Sequence, residues 1–309
     1  MDAGAKLGDE NLVLFKQVIN RFVPDFSFQS RIPVRAPLQK SLTAAIHVEN
    51  LVTLESIIPT EAMRTRFKGQ KIGNGAWLSS AYFSGSNGPD VFRETDFVTN
   101  LRLRLLETII PVDCPRDFSC RCSADRSVNV HHPDQAFHFL CCPSCSISKN
   151  ARHDGIVDLL KRVINQSCEE ARLIDNHSFW NEKERGRSTA DLAVEIAGVK
   201  YYVDVTVRAN GAPSYLKLDP EALGLRAERD KALTYAGVSF EGGMYCTFAV
   251  DMFGNLGPQA RKFLDQIEDC SSHEHFKNDF FRSLSVWMAL STSENLVSYS
   301  SRCLSYRRQ

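Results

Sequence analysis

The first chemical possibility in this sequence lies in two aspartates at the ends of an alternating apolar stretch. Residues 191–208 read DLAVEIAGVKYYVDVTVR. Leu192, Val194 and Ile196 share one face of a first strand; Val199, Tyr201, Val203 and Val205 share one face of a second. A two-residue turn at Ala197-Gly198 pairs Ile196 with Val199, Val194 with Tyr201 and Leu192 with Val203, so the apolar faces match. The same register sets Glu195 against Lys200 and Asp191 opposite Asp204, with Cβ atoms about 5 Å apart. Directly opposed carboxylates repel each other. They are tolerated where they hold a divalent cation, and magnesium takes one or two carboxylates plus phosphate oxygens from a substrate. The plainer alternatives are a solvated strand edge at Asp191 and a slipped register, since Ala-Gly is not an ideal hairpin turn.

Further residues of the right type follow and precede the pair. Lys231 and Tyr235 are four apart on a helical stretch and share a helix face. A lysine beside a phosphate and a metal-bound water stabilises charge on the scissile group. Arg152-His153 stands near the start of a long amphipathic stretch, where an arginine is able to grip a phosphate bidentately.

A different chemistry is written between residues 114 and 145. Six of the ten cysteines (Cys114, Cys120, Cys122, Cys141, Cys142 and Cys145) fall within these 32 residues, together with His131, His132 and His138. Tetrahedral zinc takes four Cys or His ligands, usually as two close pairs. Cys120 with Cys122 makes one candidate pair, and His138 with Cys141 or Cys142 the other. Four protein ligands close the shell, which points to a structural site rather than a catalytic one.

The elements that must carry these residues are mixed. Helical spacing runs through Leu12, Phe15, Val18, Ile19 and Phe22, less cleanly through 42–58, and again through 96–110. Residues 69–90 are rich in Gly, Ser and Asn and read as loop. Residues 150–171 form an amphipathic helix with Ile156, Leu160, Val163 and Ile164 on one face. After the hairpin come a helix over 221–235, a strand over 243–252 and a turn into a helix at Pro258. The tail beyond Ser291 is Ser-rich and reads as loose. The domain reading is a helical region 1–110, a zinc knuckle 111–150, a catalytic domain 151–270, and a C-terminal helix and tail 271–309.

Composition is that of a globular chain, 43% hydrophobic and 24% charged. Lys+Arg and Asp+Glu both total 37, which argues against a basic, non-specific coat for DNA. No window reaches the roughly 18 apolar residues of a membrane span, and the N-terminus does not read as a signal peptide. A cytosolic or nuclear protein with reduced thiols, not secreted and without membrane partners, is expected.

Taken in order, the motifs resemble a known family. They are Gly75-Ala76-Trp77-Leu78, Leu101-Arg102-Leu103-Arg104-Leu105, Cys120-Arg121-Cys122 with His138 and Cys142, and Arg152-His153-Asp154. Then come Ala190-Asp191-Leu192, Asp204-Val205-Thr206-Val207, Lys231 to Tyr235, and Phe253 to Gly257. Over residues 70–268 this resembles the C-terminal region of non-LTR retrotransposon reverse-transcriptase polyproteins, where a CCHC zinc knuckle precedes a restriction-like endonuclease of PD-(D/E)XK type. The resemblance implies an α+β fold with a restriction-endonuclease-like α/β core. It implies Zn2+ on Cys120, Cys122, His138 and Cys142, and Mg2+ or Mn2+ on Asp191 and Asp204. Lys231 takes the place of the displaced catalytic lysine and Tyr235 that of the tyrosine after it, while Arg152 and His153 contact nucleic acid. The partners implied are DNA, element RNA and other domains of a larger polyprotein, in the nucleus. Ala190 stands where the family usually has proline. Tyr202-Val203-Asp204-Val205 lacks the second Asp of a polymerase hairpin, so the expected activity is DNA nicking without a polymerase. The alternative is a zinc-stabilised nucleic-acid-binding remnant without catalysis.

Overall fold

In a computed structural model the structure describes residues 51–58, 60–70, 82–83, 91–92, 94–104, 117–119, 127–129, 138–142, 146–175, 178–181, 186–210, 212–215, 217–240 and 242–305. The helix expected over 12–22 lies outside these. The chain divides into two units, Met1–Pro59 and Thr60–Gln309. In the first, residues 51–57 form a helix, α1. The second holds α2 (Glu61–Gly69), the short strands β1 (Tyr82–Phe83) and β2 (Val91–Phe92), α3 (Glu94–Arg104), β3 (Asp117–Ser119), β4 (Ser127–Asn129) and α4 (His138–Cys141). These are followed by α5 (Ser146–Ser167), β5 (Ala171–Leu173), β6 (Ser178–Asn181), β7 (Gly186–Thr189), β8 (Leu192–Ile196) and β9 (Val199–Arg208). Last come α6 (Pro220–Thr234), β10 (Gly243–Asp251), α7 (Pro258–Asp269) and α8 (Phe276–Ser305). The class is α+β, and no helix among the described residues is long and apolar enough to cross a membrane.

The hairpin β8–β9 is antiparallel with Leu192 on Val203, Val194 on Tyr201 and Ile196 on Val199. Both turn residues have positive φ, 48° at Ala197 and 78° at Gly198, so Ala197 accepts a conformation that costs an L residue about 1–2 kcal/mol. The register holds because one face is fully committed. Leu192, Val194, Ile196, Val203 and Val205 are all buried in the main core, and a one-residue slip would turn every one of them out. Lys200, opposite Glu195 in the register, sets its Nζ over the Tyr202 ring at 4.5 Å.

The hairpin sits inside a four-stranded sheet of order β10–β9–β8–β5. β5 is antiparallel to β8, a pairing absent from the sequence reading, which carried the preceding helix on to 171. β10 runs parallel to β9. Parallel neighbours need a crossover of a dozen or more residues, and α6 supplies it. Asp219 caps α6 by accepting from Ala222 N at 2.8 Å, with Pro220 in the first turn. α7 also begins at a proline, Pro258. Its cap comes from another helix: Glu228 of α6 accepts from Gln259 N at 2.7 Å.

One face of the sheet packs against α5, α7 and α8, where Ile156, Leu160, Phe248, Phe263, Phe280 and Leu284 close the main core. α5 and α8 approach closely at Gly155. A Cβ there would lie 2.0 Å from the Trp287 ring, and Trp287 Nε1 donates to Arg152 O at 3.2 Å. The Ser-rich stretch expected to be loose is helical as far as Ser305, where α8 ends, and Ser291, Thr292, Ser293 and Asn295 are buried along it. Two of these serines donate within the helix, Ser291 Oγ to Met288 O at 3.2 Å and Ser293 Oγ to Leu290 O at 2.8 Å.

Candidate active site

Asp204 lies in β9 on the sheet face away from the main core, the face that also carries Tyr202 and Ala193 in a smaller apolar cluster with Tyr235, Val238 and Phe240. Its side chain is 7% exposed. A carboxylate held that deep needs partners. α6, laid across this face, brings two of them. Tyr235 Oη donates to Asp204 Oδ1 at 3.1 Å. Lys231 Nζ stands 2.7 Å from Oδ2 as an ion pair. Oδ2 is buried, and this ion pair is the contact that balances its charge. The four-residue spacing of Lys231 and Tyr235 thus lets one helix face address both oxygens of one carboxylate.

Asp191 stands at the bend immediately before β8, next beyond the Leu192–Val203 pair. Its carboxylate replaces the missing strand partner: Oδ2 accepts from Val205 N at 2.7 Å. The same oxygen meets His153 Nε2 at 3.0 Å, and His153 Nδ1 meets Asp154 Oδ1 at 2.9 Å. The hydrogen bond to Asp191, against some loss from burial and with help from Asp154, raises the His153 pKa to about 9. The imidazole is therefore protonated at neutral pH, with both ring nitrogens donating.

The two residues of the Arg152-His153 pair part company. The Arg152 side chain is turned inward between α5 and α8. It is 2% exposed, and its Nε donates to Ser291 Oγ at 3.3 Å. Its Nη2 is buried without a hydrogen-bond partner, and burial lowers its pKa to about 10. The guanidinium thus lies inside the helix pair rather than at the surface, where the sequence placed a phosphate contact. His153 faces Asp191 rather than open solvent and acts on that carboxylate's orientation.

Two aromatic rings that the sequence reading passed over, Tyr245 and Phe240, lie beside Tyr235. The Tyr235 and Tyr245 rings are 4.8 Å apart between centroids, and Phe240 stacks on Tyr245 at 5.0 Å. Burial first, then the charge of Asp204, pushes the Tyr245 hydroxyl up, so it stays a neutral phenol. A second polar centre missed from sequence closes the far ends of β9 and β10. Buried Asp251 accepts from Asn210 Nδ2, Asn255 Nδ2, Phe253 N and Asn255 N at 2.6–2.9 Å. Burial raises its pKa while these bonds pull the other way. It fixes the Phe253–Gly257 turn and has the character of a structural clamp.

Carboxylate oxygens such as those of Asp191 and Asp204 are of the donor type a divalent cation takes. Asp204 Oδ2 carries the Lys231 ion pair, and both bonds to Asp191 fall on its Oδ2. Magnesium needs no more than one or two such carboxylates from the protein. Among the described residues no group of three or more His, Cys, Asp and Glu is placed to hold a metal. For the zinc expectation, His138 begins α4 and Cys142 is buried just after it, while Cys120 and Cys122 lie outside the described residues. Compared with protein-family models and with curated proteins, the chain matches none.

Proposed function

We propose that this protein is a metal-dependent DNA endonuclease with a restriction-endonuclease-like core of PD-(D/E)XK type, related in kind to the nuclease that follows the polymerase of non-LTR retrotransposons. One observation carries the proposal: a buried aspartate, Asp204, with Lys231 and Tyr235 standing on its two oxygens, at the open end of the hairpin that also places Asp191. A buried carboxylate, even a paired one, contributes little to stability by itself. It is useful where a cation or substrate completes it.

Bound Mg2+ or Mn2+ on Asp191 and Asp204 would supply a nucleophilic hydroxide and neutralise charge on the scissile phosphate. The chain's own residues do the rest. Val205 N and protonated His153 hold the Asp191 carboxylate in one orientation. Lys231 places a positive charge beside Asp204, where a phosphate's developing negative charge is stabilised. Tyr235 fixes Asp204 through Oδ1. DNA backbone, rather than base edges, is the partner such a site addresses. We assign Zn2+ to Cys120, Cys122, His138 and Cys142 as a structural knuckle that helps dock DNA, in a nuclear protein that worked beside other domains of a polyprotein or beside element RNA. Less than about half an equivalent of zinc in freshly reduced protein would count against that knuckle.

A second reading, a zinc-stabilised nucleic-acid-binding remnant without cleavage, is favoured by a specific feature: each carboxylate already has a cationic neighbour, Lys231 for Asp204 and His153 for Asp191. Supercoiled plasmid incubated with Mg2+ separates the two. Nicking that Asp204→Ala abolishes supports the nuclease; binding without nicking supports the remnant.

A further inference from the structure

Two thiols distant in sequence meet where two helices end. Cys168 follows the last turn of α5, its N–H donating to Ile164 O at 3.2 Å, and Cys270 caps α7, its N–H donating to Ile267 O at 3.2 Å. The two ends are laced together twice. Cys168 Sγ donates to Cys270 O at 3.3 Å, and Ser271 Oγ donates to Ser167 O at 2.7 Å. Consecutive residues 167–168 thus hold consecutive residues 270–271. Both are free thiols. Cys168 is 4% exposed, whereas Cys270 is half-buried.

We propose that Cys168 and Cys270 are a disulfide-forming pair, oxidised by a small-molecule disulfide of the oxidised-glutathione class to clip the end of α5 to the end of α7. The chemistry balances as two exchanges. The Cys270 thiolate attacks one sulfur of the reagent, forming a mixed disulfide and releasing one thiol. The Cys168 thiolate then attacks Cys270 Sγ and expels the second thiol. The two cysteine protons end on the released thiols, the protein loses two electrons and the reagent gains them. A disulfide requires two cysteines whose backbones are held near each other, and the two cross-bonds tie the helix ends that carry them. Partial burial first, then Cys168 and the carboxylates of Glu170 and Asp269, hold the Cys270 thiol above its ordinary range. Thiolate is then scarce at neutral pH, and exchange is slow there. Cys246 makes the contrast: it is buried in the core, donates to Gln259 O at 3.8 Å, and burial pushes its thiol up to about 12.

The bridge would close a loop whose ends are 102 positions apart, the long-loop case in which cross-linking restrains the unfolded chain most. The test uses the full reduced chain treated with oxidised glutathione at mildly alkaline pH, then alkylated and peptide-mapped, with thermal unfolding in parallel. The expected result is one linked peptide pair joining Cys168 to Cys270, reversed by dithiothreitol, and a Tm raised by roughly 5–10 °C. Cys168→Ala should stop at a mixed glutathione disulfide on Cys270. Cys270→Ser, altered at the half-exposed member, should give neither the linked pair nor that Tm rise. It retains the cysteines of 114–145 and so controls for them. Recovery of Cys168 and Cys270 from the parent as separate alkylated or glutathionylated residues, with no linked pair, overturns the proposal.

Discussion

Replacing Lys231 with methionine removes the positive charge beside a carboxylate that is 7% exposed while keeping much of the side chain's length and apolar stem. At 2.7 Å and an effective dielectric constant of about 20, two unit charges attract by about 6 kcal/mol. Desolvation of both groups offsets much of this. Lys231 is also about a quarter exposed, so water screens part of what remains. The expected net loss of unfolding free energy in Lys231→Met is about 2–3 kcal/mol, because Asp204 is left buried with Tyr235 as its remaining partner. Asp204→Asn in the same background should recover most of that loss, since a neutral amide no longer needs the ammonium. A double-mutant cycle by urea unfolding measures the coupling directly, with about 2 kcal/mol expected. Mg2+ should raise the Tm of Lys231→Met more than that of the parent, because the cation restores the missing charge. A coupling energy below about 0.5 kcal/mol would refute the reasoning: the ion pair would then be a solvated surface contact and Asp204 no strained carboxylate.

Gly155→Ala drives a methyl into the Trp287 ring, 2.0 Å from its nearest atom. It should destabilise the chain by about 2–3 kcal/mol in urea unfolding, with partial rescue by Trp287→Leu. His153 has a folded pKa raised to about 9, above its unfolded value of about 6.5, so its stabilising contribution is complete below the unfolded value and is lost as pH rises through about 9. The stability difference between parent and His153→Gln should shrink by an amount on the order of 1–2 kcal/mol, discounted for the partial exposure of the pair, between those two limits. A pH-independent difference would contradict the pairing with Asp191.

What was legible in the sequence was local and periodic. Alternation through 191–208 fixed both strands and their register, because Leu192, Val194, Val203 and Val205 have a single buried face to share. It thereby brought Asp191 and Asp204 to the same end of the hairpin. The four-residue spacing of Lys231 and Tyr235 was legible for the same reason. Contacts made across the chain were not. Whether Arg152 points outward or into the core depends on Ser291, 139 residues away, and no periodicity encodes that. His153 likewise took its role from Asp191, beyond the reach of its own helix. Strand β5 is three residues long, too short for an alternation to stand out. The Ser-rich end of α8 misled because composition reports exposure on average, whereas Ser291 and Ser293 bond to carbonyls of their own helix and so tolerate burial. Asp251 gathers Asn210 and Asn255 only once β9 and β10 lie side by side.

The central claim is that Asp191 and Asp204 form a metal-dependent nuclease centre, and nicking of supercoiled plasmid tests it most directly. The parent should convert supercoiled to open-circular DNA in Mg2+ or Mn2+, chelation should stop it, and Asp204→Ala and Asp191→Ala should each lower the rate by at least about 100-fold. Asp204→Ala protein that nicks as fast as the parent would contradict the account.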